Sequence, residues 1–249
     1  MGGNSKKFTL VVVRHGEATH NLPDFKPEDL VLTNDPEMPF LNNPLLMPFL
    51  NNPLTGKGLK QAGQLAERLA TEKFNLVLAS DLARAWDTAQ AIVKENPSVD
   101  NVQELRELRE RNAGVLNGER EIFRCQLKVE EAIEDRQLKI PTWKIPGGES
   151  VVDLRNRVEA FLQLLLAKVQ EQKEVEDLKI LVVTHFMWMH ELYMILVSMV
   201  GGEMQKKPRT PNTGLDQYTL TARTGEDGKA KLEQVVFDVI SCGKHLTQG

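Results

Sequence analysis

Three short apolar runs punctuate the chain, and each ends on residues able to carry chemistry. Phe8 to Val13 leads into Arg14-His15-Gly16-Glu17. Leu76 to Ala79 leads into Ser80-Asp81, with Arg84 just beyond, and Ile180 to Val183 leads into Thr184-His185. Short β-branched runs followed by helical patterns predict parallel strands of an α/β sheet, covered on both faces. Thr55 reads as the N-cap of a helix to about Glu72, with Leu59, Ala62, Leu65, Ala66 and Leu69 on one face. Asp81 similarly precedes a second helix predicted to about Asn96, followed by a short strand near Val102 and an amphipathic helix over Glu119 to Gln137. Pro146-Gly147-Gly148 breaks the chain. Ser150 caps a helix whose Val151, Leu154, Val158, Phe161, Leu165 and Val169 recur at three- or four-residue spacing, the mark of core packing. A helix following His185 to about Val200 and strands near Tyr218 and Val235 complete the pattern.

The segment from Leu22 to Leu54 keeps neither period and is interrupted by prolines. Inside it a nine-residue unit is duplicated, Met38-Pro39-Phe40-Leu41-Asn42-Asn43-Pro44-Leu45-Leu46 returning as Met47-Pro48-Phe49-Leu50-Asn51-Asn52-Pro53-Leu54-Thr55. Two such copies are too few and too short for a solenoid. Two readings stand: a tolerated surface loop, or a lid whose Met and Phe side chains cover a pocket. No linker divides the chain, so residues 1–249 are read as one domain with a loop insertion at about 22–54.

Composition narrows the classes. A chain of 249 residues can bury one sizeable core, and its 41% apolar and 27% charged residues are ordinary for a globular protein. A net charge of −4 supplies no basic stripe of the kind that binds nucleic acid. The two cysteines, Cys125 and Cys242, lie far apart without CxxC spacing and read as reduced thiols of a cytoplasmic protein. No run approaches the ~20 apolar residues of a membrane span, and the start lacks a secretory apolar region. Met1-Gly2 invites a myristoylation reading, but the position expected to be Ser or Thr holds Lys6.

Ligands of parallel sheets sit beyond the carboxyl ends of the strands, so the three runs deliver His15, His185, Arg14 and Arg84 to one edge. Two imidazoles among guanidiniums suit phosphoryl transfer to a histidine. A neutral ring with a free lone pair attacks phosphorus, and the planar fork of arginine holds two phosphate oxygens at once. Gly16 lets backbone N–H groups approach an oxyanion. Glu110, within Arg106-Glu107-Leu108-Arg109-Glu110-Arg111, is a candidate proton donor to the leaving oxygen, or simply part of a solvated charge run. His185 and His190 are five apart, not the i, i+4 spacing of a zinc helix, so no metal site is expected. His20 and His245 have no partner visible in the sequence.

Taken in order, these segments resemble the histidine phosphatase superfamily, the phosphoglycerate-mutase-like fold, over nearly the whole chain. The segments are Arg14-His15-Gly16-Glu17 with Asn21; Pro53-Leu54-Thr55 with Gly58 and Gln61-Ala62; and Ser80-Asp81-Leu82 with Arg84-Ala85 and Thr88. They continue as Leu108-Arg109-Glu110-Arg111 with Gly114 and Gly118, Gly147-Gly148-Glu149-Ser150, and Thr184-His185. Within the superfamily, Leu108 to Gly118, Pro146 to Ser150, Thr210-Pro211-Asn212-Thr213-Gly214 and Gly243-Lys244-His245-Leu246 are similar to TIGAR-type fructose-2,6-bisphosphatases. The resemblance implies a three-layer α/β sandwich with a mostly parallel central sheet flanked by helices. It also implies that His15 is the phosphorylated nucleophile, that Arg14, Arg84, Asn21 and His185 hold the phosphoryl group, and that Glu110 donates the proton. Two departures stand out: Phe186 occupies the position after the second histidine where the family usually has Gly, which bears on the substrate pocket, and the segment after Asn21 is lengthened by the insert.

The expectation is therefore a phosphatase acting on a small phosphorylated metabolite, a sugar phosphate such as fructose 2,6-bisphosphate or a phosphoglycerate, with neither metal nor organic cofactor. The rival readings are a phosphoglycerate mutase and a non-enzymatic binding protein with a degenerate site. Neither nucleic acid nor membrane is expected as a partner, and the sequence leaves the oligomeric state open.

Overall fold

Alternation along β1 (Ser5–Arg14) splits its side chains between two cores, which is what makes the fold layered. Phe8, Leu10 and Val12 enter one apolar cluster, while Val11 and Val13 enter another on the opposite face. The structure, a computed structural model, describes residues 5–32, 50–117, 142–172, 174–201 and 207–246. The predicted helix over Glu119 to Gln137, Cys125, and the first repeat unit lie outside the described residues.

β1 is joined by β2 (Leu76–Ala79), β3 (Gln103–Glu104), β4 (Lys179–Thr184), β5 (Leu215–Thr224) and β6 (Ala230–Cys242) in the order β3-β2-β4-β1-β5-β6. The strands from β3 to β1 run parallel, whereas β5 is antiparallel to β1 and β6 to β5. The sheet is thus mixed, its parallel half extended by a long antiparallel ribbon. The helices are α1 (Gly56–Leu69), α2 (Ala83–Glu95), α3 (Val151–Glu171) and α4 (Phe186–Met199). On one face α1 and α2 contribute Leu65, Ala66, Leu69, Ala85, Ala89 and Ile92. On the other, α3 and α4 contribute Leu154, Val158, Phe161, Trp188, Met189 and Leu192. The result is the expected three-layer α/β arrangement. Among the described residues no helix is long and apolar enough to cross a membrane.

The caps at Thr55 and Ser150 fall where the sequence places them, whereas the second helix has Leu82 as N-cap, one residue past Asp81. Thr55 Oγ1 accepts from the Gly58 N–H, and Ser150 forms a reciprocal capping box with Asp153. One expected core position is wrong: Leu59 is 59% exposed, and Gly58 takes its place in the buried stripe Gly58, Ala62, Leu65, Ala66, Leu69. The reason is close approach. A Cβ at Gly58 would lie 1.9 Å from the Glu17 carbonyl oxygen, so the glycine lets α1 dock against the loop after β1.

Candidate active site

The register of the parallel strands assembles the site. Arg14 pairs with Thr184 and Ala79 with Val183, so β1, β4 and β2 end level and release His15, His185 and Ser80 at one edge. The His15 and His185 rings stand with centroids 5.1 Å apart, both buried. Arg84, in the first turn of α2, is buried as well.

His15 Nδ1 lies 2.6 Å from the Gly16 carbonyl oxygen. A carbonyl only accepts, so Nδ1 carries the proton and the lone pair resides on Nε2. Burial, followed by the fields of Arg84, Arg14 and His20, holds the His15 pKa well below the usual histidine value. The ring is neutral near pH 7. His185 is depressed likewise by burial and then Arg84, and its Nε2 lies 3.0 Å from Ser80 Oγ. The Arg14 guanidinium is pushed down to about 10 by burial, with Glu110 opposing and Arg209 adding. Arg84 is pushed down to about 10 by burial, with Glu110 opposing and Arg14 adding. Both remain cations at neutral pH. Among the described residues, Arg14 Nε, Arg84 Nε and His185 Nδ1 are buried without a hydrogen-bond partner. Buried polar groups left unpaired are costly, and here three of them belong to side chains around His15.

The arginines are oriented by backbone. Arg14 Nη1 donates to the Thr210 carbonyl at 2.9 Å, and Arg84 Nη1 to the Leu50 carbonyl at 2.7 Å. Thr210 is itself fixed by a buried network. Lys207 Nζ donates to Thr210 Oγ1 at 2.5 Å and to Ser241 Oγ at 3.1 Å, and pairs with Asp216 at 3.0 Å, which also accepts from the Tyr218 hydroxyl. The His15 carbonyl accepts from Asn212 Nδ2 and from the N–H of Thr213, a residue at φ 57°.

Glu110 is held by two N–H groups: Oε1 accepts from Arg111 at 2.9 Å and Oε2 from Met187, in the first turn of α4, at 3.2 Å. Its backbone is clamped from α3. Arg157 donates to the carbonyls of Glu107, Arg109 and Glu110 at 3.0, 2.5 and 3.1 Å, and binds Glu149 through Nε and Nη2 at 3.0 and 2.8 Å. Glu110 thus belongs to an ordered loop, and the solvated-run reading fails for it.

Two expected positions behave differently. The Gly16 N–H, expected to approach an oxyanion, donates to Thr88 Oγ1 at 3.1 Å. The glycine is required because a Cβ there would lie 2.6 Å from the Gly58 carbonyl oxygen. Asn21 Oδ1 accepts from the Ala18 N–H at 3.0 Å and so closes the turn after the histidine segment. Phe186 lines the site through its ring, with Arg14 Cζ 5.5 Å from its centroid. His190 is not part of the cluster and contacts Glu191.

Sequence reasoning missed Arg157, Lys207, Asp216 and His20. The His20 ring is tilted 50° to that of His15, with centroids 6.1 Å apart. Arg157 had a signal: it sits three residues after Leu154 and four before Phe161, a charge within the apolar stripe. His245, without a visible partner in sequence, accepts from Arg68 at Nδ1 and reaches Thr213 Oγ1 at 3.0 Å through Nε2. Among the described residues no group of three or more His, Cys, Asp or Glu is arranged to hold a metal ion.

The fold and these segments have counterparts. The chain is 28% identical to fructose-2,6-bisphosphatase TIGAR of Xenopus tropicalis over 69% of its own length and 54% of that protein. It is 31% identical to phosphoglycerate mutase-like protein 4 of Arabidopsis thaliana over 74% of its length and 69% of the relative. A phosphoglycerate mutase structure from Bacillus anthracis superposes with a TM-score of 0.61 at 21% identity, covering 92% of this chain and 93% of that one. The chain spans about half the length of the TIGAR proteins it matches. The model of the histidine phosphatase superfamily, branch 1, matches residues 46–229, so Arg14 and His15 precede the matched stretch and join it through β1. With most of its length inside that match, the chain belongs to the histidine phosphatase superfamily.

Proposed function

We propose that this chain is a phosphatase that hydrolyses a small phosphorylated metabolite, a sugar phosphate or phosphoglycerate, through a phosphohistidine on His15. The observation that carries the reading is the state of His15: neutral, protonated on Nδ1 toward the Gly16 carbonyl, and flanked by Arg14 and Arg84. In the first step Nε2 forms a bond to phosphorus while the ester P–O bond breaks, and the leaving oxygen takes a proton from Glu110. In the second, a water gives that proton back to Glu110 and attacks phosphorus, the N–P bond breaks, and inorganic phosphate leaves. Arg14, Arg84 and His185 stabilise charge on the equatorial oxygens, the main task in phosphoryl transfer. The buried groups on these three side chains that lack partners support this role, because an anion would satisfy them. Neither step calls for a metal ion or an organic cofactor.

A mutase shares the first step and differs in returning the phosphoryl group to product, and some relatives carry mutase names. The test is a panel of sugar bisphosphates, phosphoglycerates and phosphoamino acids, assayed for both released phosphate and isomerised product. Stoichiometric phosphate release supports the phosphatase reading. Isomer without phosphate release replaces it with the mutase, and turnover of nothing leaves a binding protein.

A further inference from the structure

The ring of Phe186 carries two guanidiniums. Arg14 Cζ lies 5.5 Å from its centroid and Arg209 Cζ 6.0 Å. Arg14 is buried in the phosphate cluster, whereas Arg209 is exposed and Phe186 partly so. Both guanidinium carbons thus lie within 6.0 Å of one ring centroid, one inside the site and one at the surface. We propose that Arg209, seated against Phe186, is a second anion subsite at the mouth of the site, selecting phosphate esters that carry another carboxylate or phosphate group.

Three features favour a ligand role for Arg209 over an incidental stack. Among the described residues no carboxylate pairs with it, and its one recorded side-chain contact is the Phe186 ring. Its backbone is fixed on both sides. The Pro208 carbonyl accepts from Ser241 Oγ at 2.8 Å, and Thr210 is buried with its carbonyl on Arg14. A guanidinium on a backbone hydrogen-bonded on both sides, resting against an aromatic face, loses less freedom on binding an anion than one on an unsupported chain. Finally, its field reaches Arg14 and disfavours that cation. Such like-charge crowding is relieved when anions bridge both groups. Glycine in place of Phe186 would leave Arg209 no face to rest on, so the bulky residue and the exposed cation form one device.

This inference rests on the phosphatase reading, and its test separates the two. Kinetics are compared on matched pairs: 3-phosphoglycerate against glycerol 3-phosphate, and fructose 1,6-bisphosphate against fructose 6-phosphate. Arg209→Ala is expected to raise KM for the member with two anions about tenfold more than for its partner, as loss of one charge-assisted contact does. kcat is expected to fall far less, because the contact is remote from the reacting phosphorus. Arg209→Lys should restore part of the preference. Discrimination in the first pair alone assigns a carboxylate to the subsite, and in the second alone a phosphate. Calorimetry of the same pairs on the His15→Ala protein, with and without Arg209→Ala, reads the subsite without turnover. A binding preference that depends on Arg209 survives failure of the phosphatase reading. KM and affinity changes equal within each pair, or absent, overturn the subsite even where phosphatase activity is intact.

Discussion

His15 and His185 face each other across 5.1 Å because Arg14 and Thr184 are register partners on adjacent parallel strands. Two imidazoles this close, with two guanidiniums beside them, cannot all be charged without large repulsion. Burial first, and then the fields of the arginines, makes the rings the groups that give up their protons, while the arginines keep theirs. One register pair thus sets the geometry in which the two neutral rings meet.

The nucleophile is tested by its removal. His15→Ala should lower turnover roughly a thousandfold or more, as loss of a nucleophile does in other enzymes. Rapid-quench mass spectrometry should find an acid-labile phosphate on His15 in the native protein. Native turnover in the variant, with no phosphorylated His15, would refute the mechanism.

Glu110 is tested by leaving-group dependence. Glu110→Gln keeps acceptors for the N–H groups of Arg111 and Met187 at one oxygen only and removes the transferable proton. The expected loss is about 10²–10⁴ in turnover on alkyl phosphates. With p-nitrophenyl phosphate, whose leaving group hardly needs a proton, the loss should be smaller. Equal losses on the two would take Glu110 out of the acid role.

Arg157 should matter to stability before it matters to chemistry. Arg157→Leu strands Glu149, which is buried and also accepts from the Asn112 N–H at 2.8 Å. Breaking a buried pair from one side costs about 3–5 kcal/mol. Adding Glu149→Gln should recover part of that, since the amide oxygen still serves Asn112 and no charge remains buried. Urea denaturation of the single and double variants measures both; a double variant less stable than Arg157→Leu would contradict the account.

Period-based reading served well where one cause dominated. The apolar runs of β1, β2 and β4, the caps at Thr55 and Ser150, and the stripe of α3 are each governed by local chemistry or by burial. Leu59 was misplaced because the docking of α1 is decided by Gly58 against the Glu17 carbonyl, a contact between distant segments. The chemistry-bearing residues at the strand ends were legible because a parallel sheet gathers them by topology. The residues that hold them were not: Lys207, Asp216 and Ser241 meet only when β5 and β6 pair, and Arg157 reaches three carbonyls of a loop far along the chain.

The histidines give stability a definite pH dependence. In the folded chain His15 and His185 titrate well below the usual value, and His245 near about 4, first through burial and then through Arg68. The unfolded chain takes up protons near pH 6.5 that the folded one refuses, so stability is full above that pH and falls below it. Each buried histidine contributes a slope of up to about 1.4 kcal/mol per pH unit there. Asp153, whose carboxyl is lowered by its capping bonds with Ser150 in spite of burial, acts only below its ordinary range. Urea midpoints in phosphate-free buffer should fall between pH 7 and 5, with a shallower slope for His15→Asn. A flat profile would contradict neutral burial of these rings.

The duplicated unit offers a prediction in which the two copies are not equivalent. The end of the second copy is tied to the site: the Leu50 carbonyl accepts from Arg84, Asn51 Oδ1 from the Ala83 N–H at 2.7 Å, and Asn52 bonds Val31, Thr19 and Asp29. Asn51 thereby supplies an acceptor at the start of α2, where the Leu82 N-cap provides none from its side chain. Deleting Met38 to Leu46 leaves one full Met-Pro-Phe-Leu-Asn-Asn unit entering Thr55 and so keeps every residue that makes these contacts. Loop shortening changes closure entropy by only ~0.6 kcal/mol per doubling of length, so folding should survive the deletion. Asn51→Ala, by contrast, should cost about 1 kcal/mol as a lost cap and loosen the turn carrying Arg84, raising KM for phosphate esters. If the first copy is a lid, its deletion also raises KM, but without the stability loss seen for Asn51→Ala. Unchanged kcat and KM in the deletion protein would mean that the first copy is only tolerated, and that the second alone serves the site.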